Sequence, residues 1–339
     1  MARRKKFFLW STLLVLAAVL FVWVWFAKTY YPRIAELGSP PRRAIKPYHR
    51  DFLTKDPQKS GFELWQGELV KDVPCLVMTP TGEMAEQSIW AKRLRGQLRE
   101  RGVEVPRWHP RRVVVFFHGH RARKEDMLPI ARNLVSLGMI GIMPDAPGHG
   151  ASPLPKGAFG SGVHECDLAG QLVDAARERF SWPQMPVHLW GISMGGSFVA
   201  YNAAERPDAW ASCVIVSSFD DLGGLIQPSF DQLPAGLGVP AFAAAKWASC
   251  HINWFDVSTV QPVKLLPAVK SPLLVVHGKA DKLITIDRGR RLFEAAGSVE
   301  KEFVEVPEGT HSNVLVTPHQ TYAKMAAWML RHEVPRPTD

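Results

Sequence analysis

Apolar positions along this chain follow two alternating rhythms. GFELWQGELV (61–70) and VPCLVMTP (73–80) carry apolar side chains at alternate positions, which predicts the two strands of a hairpin. Met84, Ile89, Leu94 and Leu98 then recur roughly one turn apart, so residues 83–102 read as helix. From 113 onward the repeating unit is an apolar run, a Gly-rich turn and a helical stretch. VVVFFHGH (113–120) precedes a helix over 125–137, and MIGIMPDAPGHG (139–150) one over 164–180. VHLWG (187–191) precedes a helix over 194–206, and ASCVIVSSF (211–219) follows. SPLLVVHGK (271–279) leads to a helix from 288, and KEFVEVP (301–307) to a last helix over 318–332. Buried strands alternating with helices predict an α/β fold, with a mostly parallel eight-stranded sheet covered on both faces. Residues 220–270, rich in Pro, Gly, Ala and Trp, break the rhythm and read as a short cap inserted over the carboxyl ends of the strands.

The N-terminus has a third pattern. Phe7 to Ala27 is an unbroken uncharged run, long enough to cross a bilayer as a helix. Basic residues precede it, and Trp10, Trp23, Trp25, Tyr30 and Tyr31 supply aromatics at its two ends. The run exceeds a usual signal core, and Trp25-Phe26-Ala27 offers no small-x-small cleavage site, so an uncleaved anchor is the expectation. Residues 28–60, with Pro32, Pro40, Pro41, Pro47 and Pro57, read as a Pro/Arg-rich linker. The chain thus divides into an anchor with its basic flank (1–27), the linker (28–60), one globular domain (61–333, cap about 220–270) and a tail (334–339). Exporting the tetrabasic Arg3-Arg4-Lys5-Lys6 tail is unfavourable, which places the N-terminus inside and the domain on the non-cytoplasmic side.

Charge changes the picture only when located. The net charge of +9 suggests nucleic acid, but residues 1–50 hold ten Lys/Arg against Glu36 alone. The remaining chain balances at 31 basic and 31 acidic residues, so the domain needs no nucleic-acid partner. Cys75, Cys166, Cys213 and Cys250 match no metal spacing, and Cys213 reads as core.

The candidate chemistry centres on Gly191-Ile192-Ser193-Met194-Gly195, a Gly-x-Ser-x-Gly set where a strand turns into a helix. A serine hydroxyl needs a nearby base and a third group to orient that base. Asp281 lies in the loop after the 271–279 strand, and His311 in the loop after the last strand. The chain order Ser, Asp, His, each just past a strand's carboxyl end, gathers all three on one rim of the sheet. Asp220 and Asp221, after the sixth strand, are the alternative acids, and Asp287 reads as the N-cap of a helix over 288–296. His118, His120 and His149 share no acidic partner at metal-ligand spacing, so neither a metal nor an organic cofactor is expected. Trp247 and Trp254 are candidates to line an acyl pocket, and apolar Leu222, Leu225, Ile226, Leu237 and Phe242 favour hydrophobic acyl groups.

With His118-Gly119 after the third strand and Asp145-x-Pro147-Gly148-His149-Gly150-x-Ser152 after the fourth, these motifs give the region 61–333 its resemblance. It resembles an α/β-hydrolase-superfamily serine hydrolase and is similar to the membrane-anchored, dienelactone-hydrolase- or prolyl-oligopeptidase-like branch. The resemblance implies that Ser193 is the nucleophile, His311 the general base and acid, and Asp281 the group holding the imidazole. It also implies an oxyanion hole from the backbone N–H groups of Met194 and His120. The expected function is a membrane-tethered serine esterase, bound to the lipid bilayer through residues 7–27. Its substrate would be a small-molecule or lipid-derived acyl ester, cleaved through an acyl-enzyme. A serine peptidase or acyltransferase would use the same triad, whereas a non-catalytic binding protein on this fold would be expected to have lost one of its members.

Overall fold

The structure, a computed structural model, describes residues 2–38, 41–54, 61–105, 112–154, 166–234, 236–253 and 255–332. All eight expected strands form one sheet. β1 (Phe62–Val70) and β2 (Val73–Pro80) make the hairpin, and β2 pairs antiparallel with β4 (Met139–Pro144). β4 then lies parallel to β3 (Arg112–Phe117), followed by β5 (Val187–Ile192), β6 (Ser212–Val216), β7 (Leu273–Gly278) and β8 (Lys301–Val306). The spatial order is β1-β2-β4-β3-β5-β6-β7-β8.

The central strands read as continuous apolar runs because both faces are covered. Along β3, Val113, Val115 and Phe117 enter one core, while Val114 and Phe116 enter the other. In chain order the helices are α1 (Ala2–Gly38), α2 (Pro47–Thr54), α3 (Gly82–Gln87), α4 (Ile89–Arg99), α5 (Leu128–Val135), α6 (Leu168–Phe180), α7 (Met194–Glu205), α8 (Leu222–Ile226), α9 (Pro228–Asp231), α10 (Gly238–Asn253), α11 (Ile286–Ala295) and α12 (Thr321–Arg331). α6, α7, α10 and α11 fill the first core; α4, α5 and α12 fill the second. α8, α9 and α10, with three short 3-10 turns between Val257 and Ala268, occupy the cap.

Several boundaries differ from expectation for local reasons. The single helix expected over 83–102 is two, because Ser88 turns extended and its Oγ caps α4 at the Ala91 N–H, 3.1 Å away. Asp287 does not cap α11; Thr285 occupies the cap position, and Asp287 sits in the first turn, paired with Arg290. There a carboxylate still favours the helix N-terminus.

The larger departure is at 28–60. Residues 55–60 lie outside the described residues, but 28–38 continue α1 and 47–54 form α2, where an open linker was expected. Phe26, Ala27, Tyr30, Ile34 and Leu37 recur every three or four residues, so one face of α1 is apolar and packs along α10. Ile34 is fully buried, and the Tyr30 ring lies 5.7 Å from that of Phe230. Toward its N-terminus α1 leaves the protein surface, with Leu14 and Phe21 69% and 72% exposed. An 18-residue window within its Thr12–Leu37 stretch has a mean hydropathy of 2.0, and the helix is long and apolar enough to cross a membrane.

A buried ion cluster braces the loops after β3 and β4. Lys124 Nζ lies 2.7 Å from Asp145 Oδ2 and 3.1 Å from Glu125 Oε1, and Arg123 pairs with Glu125 from outside. Asp145 also accepts the backbone N–H groups of Lys124 and Ala151. A buried charge stripped of its partner is costly. Lys124→Met is therefore expected to lower the unfolding free energy by about 3–5 kcal/mol, read from denaturant melts; a change below about 1 kcal/mol would show the cluster to be idle.

Candidate active site

β5 delivers Ser193 to the start of α7 with no intervening residue. Ser193 adopts φ 55° and ψ −121°, a conformation an L-residue holds at a cost of about 1–3 kcal/mol. The surroundings over-determine it. Its N–H donates to the Val216 carbonyl (2.9 Å), and its carbonyl accepts from Gly196 N–H (2.9 Å) and Ser218 Oγ (2.7 Å). A Cβ at Gly191 would strike the Gly195 carbonyl, and one at Gly195 the Phe117 carbonyl, so the tight turn admits glycine alone at both positions.

Asp281 and His311 are brought together from adjacent strand ends. The loops after β7 and β8 touch backbone to backbone: Lys279 N–H donates to Val306 O and Ala280 N–H to Gly309 O. His311 Nδ1 donates to Asp281 Oδ2 at 2.8 Å, while Asp281 Oδ1 accepts the N–H groups of Leu283 and Ile284, each at 2.9 Å. Burial alone pushes the Asp281 carboxyl up; the hydrogen bonds from His311, Ile284 and Leu283 outweigh it and hold the group below the usual carboxylate range. Asp281 is thus a fixed anion with Oδ2 committed to the imidazole. His311 Nδ1 carries the proton, which leaves Nε2 as the basic nitrogen.

The alternative acids are engaged elsewhere. Asp220 is clamped by Arg288 (2.6 Å) and Arg291 (2.5 Å), and Asp221 caps α8 through the N–H groups of Gly223 and Gly224. Both arginines lie on α11, and nothing in the sequence links them to position 220.

Ser193, Met194 and His120 line one cavity of about 280 Å³. Its walls are apolar, with Leu222, Leu225 and Ile226 from the cap. Phe242 instead packs on Phe230, with ring centroids 5.3 Å apart, and Leu237 is exposed. Trp247, a candidate pocket residue, is 51% exposed and stacks on His251 outside the cavity; Trp254 lies outside the described residues. Met194 opens α7, where backbone N–H groups lack intrahelical acceptors. Gly119 brings the other loop close: a Cβ there would lie 3.4 Å from the Ser193 Cβ.

The three histidines beside the site act as neutral struts. His118 Nε2 accepts the Ala146 N–H at 3.0 Å, so its Nδ1 carries the proton and donates to the Gly119 carbonyl. His149 Nδ1 donates to the Pro147 carbonyl and His120 Nε2 to the Glu36 carbonyl. Burial lowers all three, His149 to about 3. Two further members were not legible as site residues in the sequence. His277, also kept neutral by burial, donates to the Ile284 carbonyl and holds the Asp281 turn; Leu37, from α1, reaches the cavity.

The Hydrolase_4 family, described as serine aminopeptidase S33, matches residues 108–233, the stretch that holds β3 to β6 and Ser193. A monoacylglycerol lipase of Mycolicibacterium smegmatis is 25% identical over 267 residues, covering 68% of this chain and 92% of its own. The human monoglyceride lipase is 26% identical over 243 residues, covering 61% and 77%. An esterase of Pyrococcus furiosus superimposes with a TM-score of 0.59 at 16% identity, over 87% of this chain and 99% of its own. The chain has the α/β-hydrolase fold, and the proteins it matches are serine hydrolases in name or family description. The relatives named are lipases and an esterase, while the family description names an aminopeptidase.

Proposed function

We propose that this is a membrane-tethered esterase that cleaves a single-chain, lipid-derived acyl ester through a Ser193–His311–Asp281 triad. The observation that carries the reading is the strained Ser193 on the floor of an apolar cavity, with the Asp281–His311 pair on neighbouring strand ends. Ser193 Oγ attacks the ester carbonyl as its proton passes to His311 Nε2, and the oxyanion is met by the N–H groups of Met194 and His120. Collapse of the adduct expels the alcohol, which takes the proton from His311 and leaves an acyl-Ser193. His311 then deprotonates a water that attacks the acyl carbon, and the carboxylic acid departs. Asp281 keeps its negative charge throughout and stabilises the imidazolium.

The apolar walls and the lipase relatives favour a monoacylglycerol-like substrate. The bare apolar surface of α1 favours a helix inserted in a bilayer, and the tetrabasic Arg3-Arg4-Lys5-Lys6 tail favours a cytoplasmic N-terminus with the domain on the other side. In detergent, a fluorophosphonate probe is expected to label the wild type and leave Ser193→Ala unlabelled. Equal labelling of the two ends the proposal. Matched ester, amide and thioester panels then fix the bond, with esters expected to turn over fastest.

A further inference from the structure

The end of α1 is built into the site. Leu37 lines the cavity alongside Ser193, Met194 and Ile226. One residue earlier, the Glu36 carbonyl accepts His120 Nε2–H at 2.9 Å, and the Glu36 carboxylate pairs with Arg121. The chain that follows stays fastened: Arg42 Nη2 donates to the Ser152 carbonyl (2.8 Å), Arg123 Nη1 to the Arg43 carbonyl (3.0 Å), and Lys46 pairs with Asp126 (2.9 Å). These bonds join the helix end to the loops after β3 and β4, while Tyr30 and Ile34, on the same apolar face as Leu37, pack the helix against the cap. A plain tether needs none of this, because a flexible linker holds a domain at a surface equally well.

We propose that Leu37 is a specificity-determining residue: the last turn of α1 is a wall of the acyl site, facing Leu225 and Ile226 of α8, and its side chain sets how long or bulky an acyl group the cavity admits. The inference rests on the reading of Ser193 as the nucleophile of an ester hydrolase. In an apolar pocket a single methylene changes kcat/KM by about 10–200-fold, so a one-residue change in this wall is expected to redraw the chain-length profile.

The test uses the full-length chain in detergent and p-nitrophenyl esters from butanoyl to tetradecanoyl. Leu37→Trp is expected to lower kcat/KM for the dodecanoyl ester, relative to the butanoyl ester, by about tenfold or more. Leu37→Ala is expected to move the optimum toward longer chains. Leu20→Ala, on the exposed part of the same helix, keeps the wild-type profile. Fluorophosphonate labelling reports site integrity in each variant. Profiles of the Leu37 variants that superimpose on wild type while labelling persists overturn the proposal. Should Leu37→Trp fail to label, Leu37→Ala decides alone, because alanine at a half-buried helix position leaves the helix intact. Wild-type labelling no stronger than that of Ser193→Ala is a different failure, that of the nucleophile reading itself.

Discussion

Ser193→Ala and His311→Ala are each expected to lower kcat by about 10⁶-fold, and the double variant no further, because the two act as one unit. Asp281→Asn is expected to lose about 10⁴-fold, for a reason visible in its hydrogen bonds. Asp281 accepts at both oxygens, from His311 on one and from two backbone N–H groups on the other. An asparagine there must turn its NH2 toward one set of donors. Facing the backbone pair, it leaves two N–H groups unmatched and unseats the loop. Facing His311, it forces the imidazole into the tautomer with Nε2 protonated, which cannot take the serine proton. The measurement is kcat at saturating ester for each variant. Retention of more than about 1% of wild-type kcat by Ser193→Ala would place the chemistry elsewhere.

Acid is expected to unfold this protein well before its carboxylates are protonated. His149 and His188 are almost fully buried, and burial pulls each down to about 3. Their unfolded value is near 6.5. As pH falls below that value the unfolded chain takes up protons that the native state refuses, so native stability is complete above about pH 6.5 and drains away as pH drops toward 3. The unfolded histidines protonate progressively through pH 6.5, so the pair alone removes roughly 2 kcal/mol between pH 6.5 and 5.5, and each approaches a loss of about 1.4 kcal/mol per pH unit below that. Buried His118 and His277 are shifted the same way and steepen the fall. Asp281 and Asp220, held below the usual carboxylate range, add their loss only at more acid pH, as they protonate. Melting temperatures in detergent from pH 7.5 to 5 measure the effect; a flat curve over that range rules out buried, neutral histidines.

Legibility in the sequence followed physical range. The central strands were legible because burial on two faces writes itself as an apolar run, the edge strands because one-sided burial leaves an alternating pattern, and the elbow because its turn tolerates only glycine at 191 and 195. Asp281 and His311 were legible as candidates because each follows a strand, and sheet order converts that into proximity. The Arg288 and Arg291 clamp on Asp220 was not, since it joins side chains some 70 positions apart with no periodic signal. Residues 28–38 read as linker in the sequence because Pro32 and the basic residues interrupt the apolar run, whereas the structure continues α1 through them with the 26-27-30-34-37 stripe turned to the domain. Trp247 shows the converse: a large apolar residue in the cap, apt for a pocket on composition, faces outward.

The elbow also divides the molecule by how freely it can vary. Glycines 191 and 195 are sterically frozen, and Ser193 is pinned by three backbone or hydroxyl contacts, so lineages descending from this chain can alter that floor hardly at all. Leu37, Leu225 and Ile226 carry no such constraint; they are side chains on helix surfaces. Diversification among descendants would thus be confined to what the enzyme accepts, leaving how it reacts unchanged.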